Sequence, residues 1–519
     1  MPMLKRLIIH PFAFALFPIA ALLAYNIVQV SSRVALRSVV ISLSATLILV
    51  LLFTLVTRQW RKSSLITTSL LILFFSYGHI YEFLQAHPVF GFSLGRHRYL
   101  IILYCLVFAL TTWTILRRSF DLANFTLAFN VIGFLLLVFP VYQIVNYTIR
   151  TSAGEHQLAE ASPTTQTLIP GQPGNLPDIY FIVLDSYARQ DILMSDFGFD
   201  NSAFLNQLES MGFYIADCGR SNNTSTHGSL AITLNMDNII ALREGLVAQG
   251  LSGDDDTPLI RQSLVRRMLS SIGYRTVAFE SGYEWTRIRD TDVYLKYTGS
   301  PYEMQVLQPF EAMLIRTTAL LIWSDTTYKS LPEYNQNPFS GVNTKFDDHI
   351  NRQLFILEQL PRLASYPGPK FVFVHLEIPH PPYVFLPDGG IALDPLLYNA
   401  EMNRPADVAH FHEGYINEIQ FINSQMPGIL QTLISGSKVP PIIVLIGDTG
   451  PATENKFENL QAYYLPGEGV ENLYPTISLI NTFRLVFNTY FGAHFELLPD
   501  VSYNGSGEVV PEHSPACIQ

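Results

Sequence analysis

The sequence predicts an α/β domain built on a mainly parallel sheet with helices on both faces, preceded by a five-helix transmembrane region. Three observations predict it. Apolar residues concentrate before residue 150, in segments long enough to cross a bilayer. After residue 177, short and almost continuously apolar runs alternate with helical patterns, as in a sheet covered on both sides. Asp185, Glu280, His380 and Asp448 stand at or just after the ends of such runs, where open α/β sheets bind ligands.

The apolar segments are Phe12–Val30, Ser38–Val56, Leu65–Leu84, Tyr99–Leu116 and Phe125–Ile149. Each is close to the roughly 20 residues that span a hydrocarbon core, and lipid leaves backbone no partner but its own helix. The first is too long for a signal peptide, and no small-residue cleavage site precedes the second. With the N-terminus in the cytoplasm, seven basic residues face inward: Lys5, Arg6, Arg58, Arg61, Lys62, Arg117 and Arg118. Five face outward: Arg33, Arg37, Arg96, Arg98 and Arg150. That balance favours an N-in multi-pass protein of the cell membrane, with everything after Arg150 extracytoplasmic. His79 and Glu82, near the outer end of the third segment, read as snorkelling side chains.

The expected organisation is therefore a transmembrane region over 1–150, a Thr/Pro/Gly-rich linker over 151–177, an outer domain over 178–505 and a tail over 506–519. Expected strands are Ile179–Leu184, Phe213–Ala216, Arg275–Phe279, Phe371–Leu376 and Ile442–Ile446. Helical patterns fit Asn201–Met211, Ser263–Ile272, Phe346–Leu360 and Gly414–Ile434. A net charge of −11 without a basic stripe argues against a nucleic-acid partner. Of three cysteines, Cys105 lies in an apolar segment, and Cys218 and Cys517 are able to pair. There is no disulfide framework and no CxxC metal clip.

Four stretches carry chemistry. Asp185 closes an apolar strand, as either a hard-metal ligand or a cap on the next helix. Thr226 opens the helical run of Thr226-His227-Gly228-Ser229-Leu230. As structure it is an N-cap, a duty Thr224 or Ser225 serves equally well; as chemistry it is a nucleophile beside a helix N-terminus that holds anions. Asp448, in Gly447-Asp448-Thr449-Gly450, is a second strand-end carboxylate between glycines that permit either close approach or a simple turn. His380 sits in the proline-fixed loop Pro379-His380-Pro381-Pro382, as a phosphate ligand, an acid, or a loop histidine bonded to backbone. His375, inside a strand, reads as a satisfied core residue, and His410 and His412 receive no role.

These residues, with Tyr474–Arg484, give the outer domain a resemblance over most of 178–503 to the sulfatase-like branch of the alkaline phosphatase superfamily. Membrane-bound relatives in that branch include lipoteichoic acid synthases and lipid A phosphoethanolamine transferases, which also share a five-span anchor. The resemblance implies Asp185 and Asp448 as acidic metal ligands, Thr226 as nucleophile and ligand, and His380 as a substrate-binding histidine. It departs from the family pattern at Thr449, where an imidazole is usual, and lacks a Cys/Ser-x-Pro-x-Arg motif, which disfavours a formylglycine. An oxygen-only set of Asp185, Thr226, Asp448 and Thr449 shifts preference among Mg, Ca, Mn and Zn towards Mg or Ca. The implied activity is that of a metal-dependent hydrolase or transferase acting on phosphodiesters of envelope lipids or glycans, with membrane lipids as partners. The alternatives are a catalytically weakened binding protein and a sulfate-ester hydrolase.

Overall fold

The computed structural model describes residues 7–87, 95–117, 122–160, 168–169, 176–253, 255–297, 309–322, 344–392, 408–451, 453, 455–504, 508–511 and 517. The chain divides into two compact units. One comprises Met1–Ile149 with Pro301–Lys345, the other Arg150–Ser300 with Phe346–Gln519. Residues 301–345 thus group with the first unit, although the sequence places them in the outer domain.

The first unit holds α1 (His10–Tyr25), α2 (Leu36–Thr57), α3 (Trp60–Ala86), α4 (His97–Arg117) and the larger part of α5 (Leu122–Glu160). Among the described residues, four helices are long and apolar enough to cross a membrane, and α1 is a shorter apolar helix. The expectation of five full spans is corrected at α1. Its 16 residues rise about 24 Å, short of a core of about 30 Å. Pro11 opens it, and Asn26 ends it by donating its side-chain amide to the Leu22 carbonyl at 2.8 Å. A polar clamp holds α1 in place: His10 Nδ1 meets Thr68 Oγ1 at 2.6 Å, and the His10 amide donates to Asn130 Oδ1 at 2.9 Å. Glu82 forms an exposed ion pair with Arg316 at 3.7 Å.

The first part of the linker expected over 151–177 is helical, because α5 continues to Glu160. Within the second unit that last stretch is fastened by Thr151 to Asp255 and by Glu155 to Arg261 at 2.6 Å.

The second unit is organised by one sheet. Its strands are β1 (Ile179–Leu184), β2 (Tyr214–Ile215), β3 (Arg275–Phe279), β4 (Val293–Leu295), β5 (Lys370–Leu376), β6 (Ile442–Gly447) and β7 (Gln461–Tyr464). The order is β2-β7-β6-β1-β5-β3-β4, parallel except for β7, which runs against β6 and β2. The expected mainly parallel α/β architecture is therefore present. β4 and β7 escape sequence reading because three or four residues give no measurable period. Every residue of β1, β5 and β6 is buried, each large aliphatic among them contributing about 1.5–3 kcal/mol. Such strands need partners on both neighbouring edges, which fixes β1 at the centre. Cys218 and Cys517 form a disulfide, so the tail expected at 506–519 is tied to the domain at Cys517.

One buried carboxyl marks the loop beyond β5. Glu418, on the helix Val408–Gly436, accepts the amides of Val384 and Phe385 at 2.7 and 2.9 Å through Oε1, while Oε2 has no partner among the described residues. Burial pushes its pKa from 4.5 to about 8. Between those values the folded chain holds a proton that the unfolded chain has lost, so stability falls as pH rises across that window. The slope is at most about 1.4 kcal/mol per pH unit. Glu418→Gln keeps an oxygen for both amides and removes the titration. Urea unfolding between pH 5 and about 8 is therefore expected to show wild type weakening relative to Glu418→Gln. Parallel stability profiles would contradict a protonated Glu418.

Candidate active site

The register of β1 sets the geometry. Leu184 pairs with Leu376 on one side and with Gly447 on the other, so Asp185, Glu377 and Asp448 leave the sheet at one level. Asp185 and Asp448 are both buried. Between them lies Ser186, a non-glycine residue with φ of 66°, a conformation that costs energy and persists only under constraint. The constraint is visible. The Ser186 amide donates to Asp448 Oδ1 at 2.9 Å, its hydroxyl to Asp185 Oδ1 at 3.1 Å, and Tyr415 donates to its carbonyl at 2.8 Å.

Thr226 comes in from the helix Thr226–Asn235. The N-cap is Ser225, whose hydroxyl accepts the Gly228 amide at 3.1 Å. Capping therefore falls to Ser225 and leaves the Thr226 hydroxyl for other use. That hydroxyl donates to Asp185 Oδ1 at 3.4 Å and also helps to hold the charge of Asp448. Asn223 fixes the turn, its Oδ1 accepting the Ser225 amide and hydroxyl.

Two carboxylates so close in a buried setting oppose each other's ionisation. Burial and the charge of Asp185 push Asp448 up to about 6. Burial also acts on Asp185, but the His380 and His375 imidazoles outweigh it and hold Asp185 below the usual carboxylate range. His375 Nε2 lies 3.3 Å from Asp185 Oδ2, an ion-pair contact that misses hydrogen-bond geometry. Burial disfavours the His375 imidazolium, yet Asp185 outweighs it and raises its pKa. Reading His375 as core filling thus misses its place against Asp185. An ionisable residue inside an otherwise apolar strand was the available signal.

His380 stands at the rim. Its Nδ1 lies 2.8 Å from the Pro381 carbonyl and 3.3 Å from the Tyr283 hydroxyl. Tyr283, Trp285, His227 and His375 form a continuous aromatic wall, with ring centroids 4.8 to 6.0 Å apart along it. None of Tyr283, Trp285 or Ser186 carries a sequence signal, since their roles exist only once loops converge. Glu280 is not part of this group; it contributes to the electrostatic surroundings of Arg289 and Tyr294 instead. Thr449 is buried beside Asp448, but its hydroxyl makes no hydrogen bond to Asp185, Thr226 or Asp448 among the described residues.

Among the described residues no group of three or more His, Cys, Asp or Glu is arranged to hold a metal. The two carboxylates with Thr226 form an oxygen set of another kind. Asp185 Oδ2 and Asp448 Oδ2 are both buried without a hydrogen-bond partner, which is costly for a carboxylate unless a cation satisfies it. The donor set fits a hard divalent cation.

Close packing behind Asp448 supplies a test. A Cβ on Gly447 would fall 2.3 Å from the Tyr187 carbonyl oxygen, a backbone atom that cannot swing away. Gly447→Ala is expected to destabilise the second unit by about 1–3 kcal/mol in denaturant unfolding of the full chain. An unchanged midpoint would show that β6 tolerates displacement at this point.

No family profile matches the chain and no curated protein does. Several solved structures are similar to it. The zinc complex of the C-terminal periplasmic domain of EcEptC from Escherichia coli is 11% identical, with TM-score 0.40, covering 63% of this chain and 87% of that one. The integral membrane lipooligosaccharide phosphoethanolamine transferase A from Neisseria meningitidis is 12% identical, with TM-score 0.39, covering 91% of this chain and 94% of that one. The phosphonate monoester hydrolase of Agrobacterium radiobacter is 13% identical, with TM-score 0.35, covering 61% and 74% respectively. The phosphoethanolamine transferases belong to one of the groups that the sequence resembles. Likeness at this level identifies no activity.

Proposed function

We propose that this protein is a membrane-anchored, metal-dependent hydrolase or transferase that cleaves phosphodiesters of envelope lipids or glycans through Thr226. The observation that carries this reading is the convergence of Asp185, Thr226 and Asp448, with Asp448 Oδ2 orphaned and Asp185 Oδ2 meeting only the His375 imidazole at 3.3 Å. Asp185, Asp448 and Thr226 would hold the cation, with Thr449 adjacent in the chain. A bound divalent cation supplies positive charge at the attacking oxygen and on the phosphoryl oxygens. The N-terminus of the Thr226–Asn235 helix favours the anionic phosphoryl group.

In the first step Thr226 Oγ forms a bond to phosphorus as the bond to the leaving alkoxide breaks. The Thr226 proton passes to Asp448, the carboxyl pushed up to about 6 that Thr226 also meets, and His380 gives a proton to the departing oxygen. In the second step a water or sugar hydroxyl gives its proton to the His380 imidazole and forms a bond to phosphorus as the bond to Thr226 Oγ breaks, and Thr226 Oγ takes its proton back from Asp448. The apolar helices support anchoring in a membrane, and the disulfide supports an extracytoplasmic place for the second unit.

A second reading, a binding protein without turnover, is favoured by Thr449 in place of an imidazole and by the lack of a three-residue His/Cys/Asp/Glu group among the described residues. The full chain in detergent, assayed on bis-p-nitrophenyl phosphate and p-nitrophenyl sulfate with Mg, Ca, Mn and Zn, separates the readings. Metal-dependent phosphodiester cleavage is expected, lost by at least about 10²-fold in Thr226→Ala, with calorimetric metal binding lost in Asp185→Asn and Asp448→Asn. Turnover that survives Thr226→Ala sinks the threonine mechanism. No turnover and no metal binding selects the second reading, and preference for the sulfate selects a sulfate-ester hydrolase.

A further inference from the structure

Within the first unit, α2, α3 and the helix Pro309–Thr317 enclose a groove of about 570 Å³ that nothing above explains. Its α2 side is a single stripe, Arg37, Ser38, Ile41, Ser42, Ala45 and Leu49, spaced as one face of a helix. From Arg37 to Leu49 the stripe runs about 18 Å along the axis. Leu71, Phe74 and Phe75 of α3 form the opposite wall. Polarity is confined to one end. There Arg37 and Glu311 form a two-point ion pair, with the carboxylate 8% exposed behind and the guanidinium 37% exposed in front. The cation, not the anion, is the face presented outward.

Ser38 separates this groove from an ordinary gap between helices. Its side chain lines the polar end, the residue is 6% exposed, and Oγ has no hydrogen-bond partner among the described residues. The other hydroxyls along the groove are satisfied locally. Ser42 donates to the Ala15 carbonyl at 3.1 Å and Thr318 to the Ile315 carbonyl at 2.9 Å. A buried hydroxyl without a partner is costly, more so in a membrane helix where water is scarce. The open flank of α2 carries Val40 and Leu47, 55% and 48% exposed, as suits a lipid-facing surface.

We infer that this groove is a binding site for one glycerophospholipid, its phosphate against Arg37 and Ser38 and one acyl chain lying along α2 to Leu49. The charge at the mouth, the orphaned hydroxyl beside it and the apolar length below it match the three parts of such a molecule in order. A soluble metabolite fits the polar end and leaves the apolar length empty. A free fatty acid fits the length but brings one carboxylate to a site with a guanidinium and a hydroxyl donor side by side. The inference concerns the first unit alone and stands whether or not Thr226 is a nucleophile.

The test is native mass spectrometry of the full chain released from nanodiscs of palmitoyl-oleoyl phosphatidylglycerol. Wild type is expected to retain one phospholipid through detergent exchange. Arg37→Gln and Ser38→Ala remove headgroup partners, and Ala45→Phe fills the groove. Each is expected to lower retention about tenfold or more, equivalent to about 1.4 kcal/mol. Leu47→Phe, at a position outside the groove lining, is expected to retain the lipid as wild type does. Thermal unfolding and gel filtration identify any variant that fails to fold, and the comparison is then made among the folded ones. Absence of retained phospholipid in wild type overturns the inference. So does equal retention in wild type, Arg37→Gln and Ala45→Phe, or retention of a lipid without a phosphate.

Discussion

The pairing of β1 with β5 on one edge and β6 on the other is the constraint on which the second unit depends. Parallel register at Leu184 brings Leu376 and Gly447 level with it, and the next residue on each strand is acidic: Asp185, Glu377 and Asp448. Three carboxylates at one end of a buried sheet cannot stand unassisted. Much of the surrounding structure consists of the partners they require.

Those partners fall into two groups. Glu377 is neutralised away from Thr226: Arg352 lies 3.1 Å from its Oε2, His349 3.5 Å, and the Gly282 amide donates to Oε1. Burial alone would raise its pKa, yet Arg352 and His349 hold it well below the usual range. Asp185 and Asp448 receive less. They share the Ser186 amide and hydroxyl, the Thr226 hydroxyl and the nearby imidazole of His375, and each keeps one oxygen without a hydrogen bond among the described residues. The sheet therefore satisfies one acid fully and leaves two incompletely satisfied where a hydroxyl at a helix start meets them. An incomplete polar network is expensive as pure structure, which is the physical reason for reading it as a place where a ligand belongs.

The first unit follows the same logic in an apolar setting. His10 meets Thr68 through Nδ1 and Asn130 through its amide, fastening the short α1 to the bundle. Several hydroxyls on α2 and α3 bond back to their own helix, as Thr46 does to Ser42 and Thr67 to Ser63. Against that background a Ser38 hydroxyl without a partner among the described residues, beside an outward guanidinium, is informative, because lipid gives a polar side chain few alternatives.

How much of this was legible in the sequence differs from residue to residue. β1 stands where the pattern put it and β6 within one residue of it, since unbroken apolar runs ending in charge have few other uses. The apolar helices were equally plain, though α1 is cut short at Asn26, a polar residue within the expected segment. The helix start at Thr226 could be read, but not which hydroxyl caps it; that depended on Ser225 facing Gly228. His375 looked like core because strand alternation says which face a side chain takes and not which acid waits there. Local pattern thus determined the elements and the ends at which chemistry gathers, because periodicity and strand termini depend on neighbours along the chain. Only tertiary structure decided that Asp185, Thr226, Asp448 and His375 meet, because register and loop closure join segments far apart in sequence, and no local property encodes that distance.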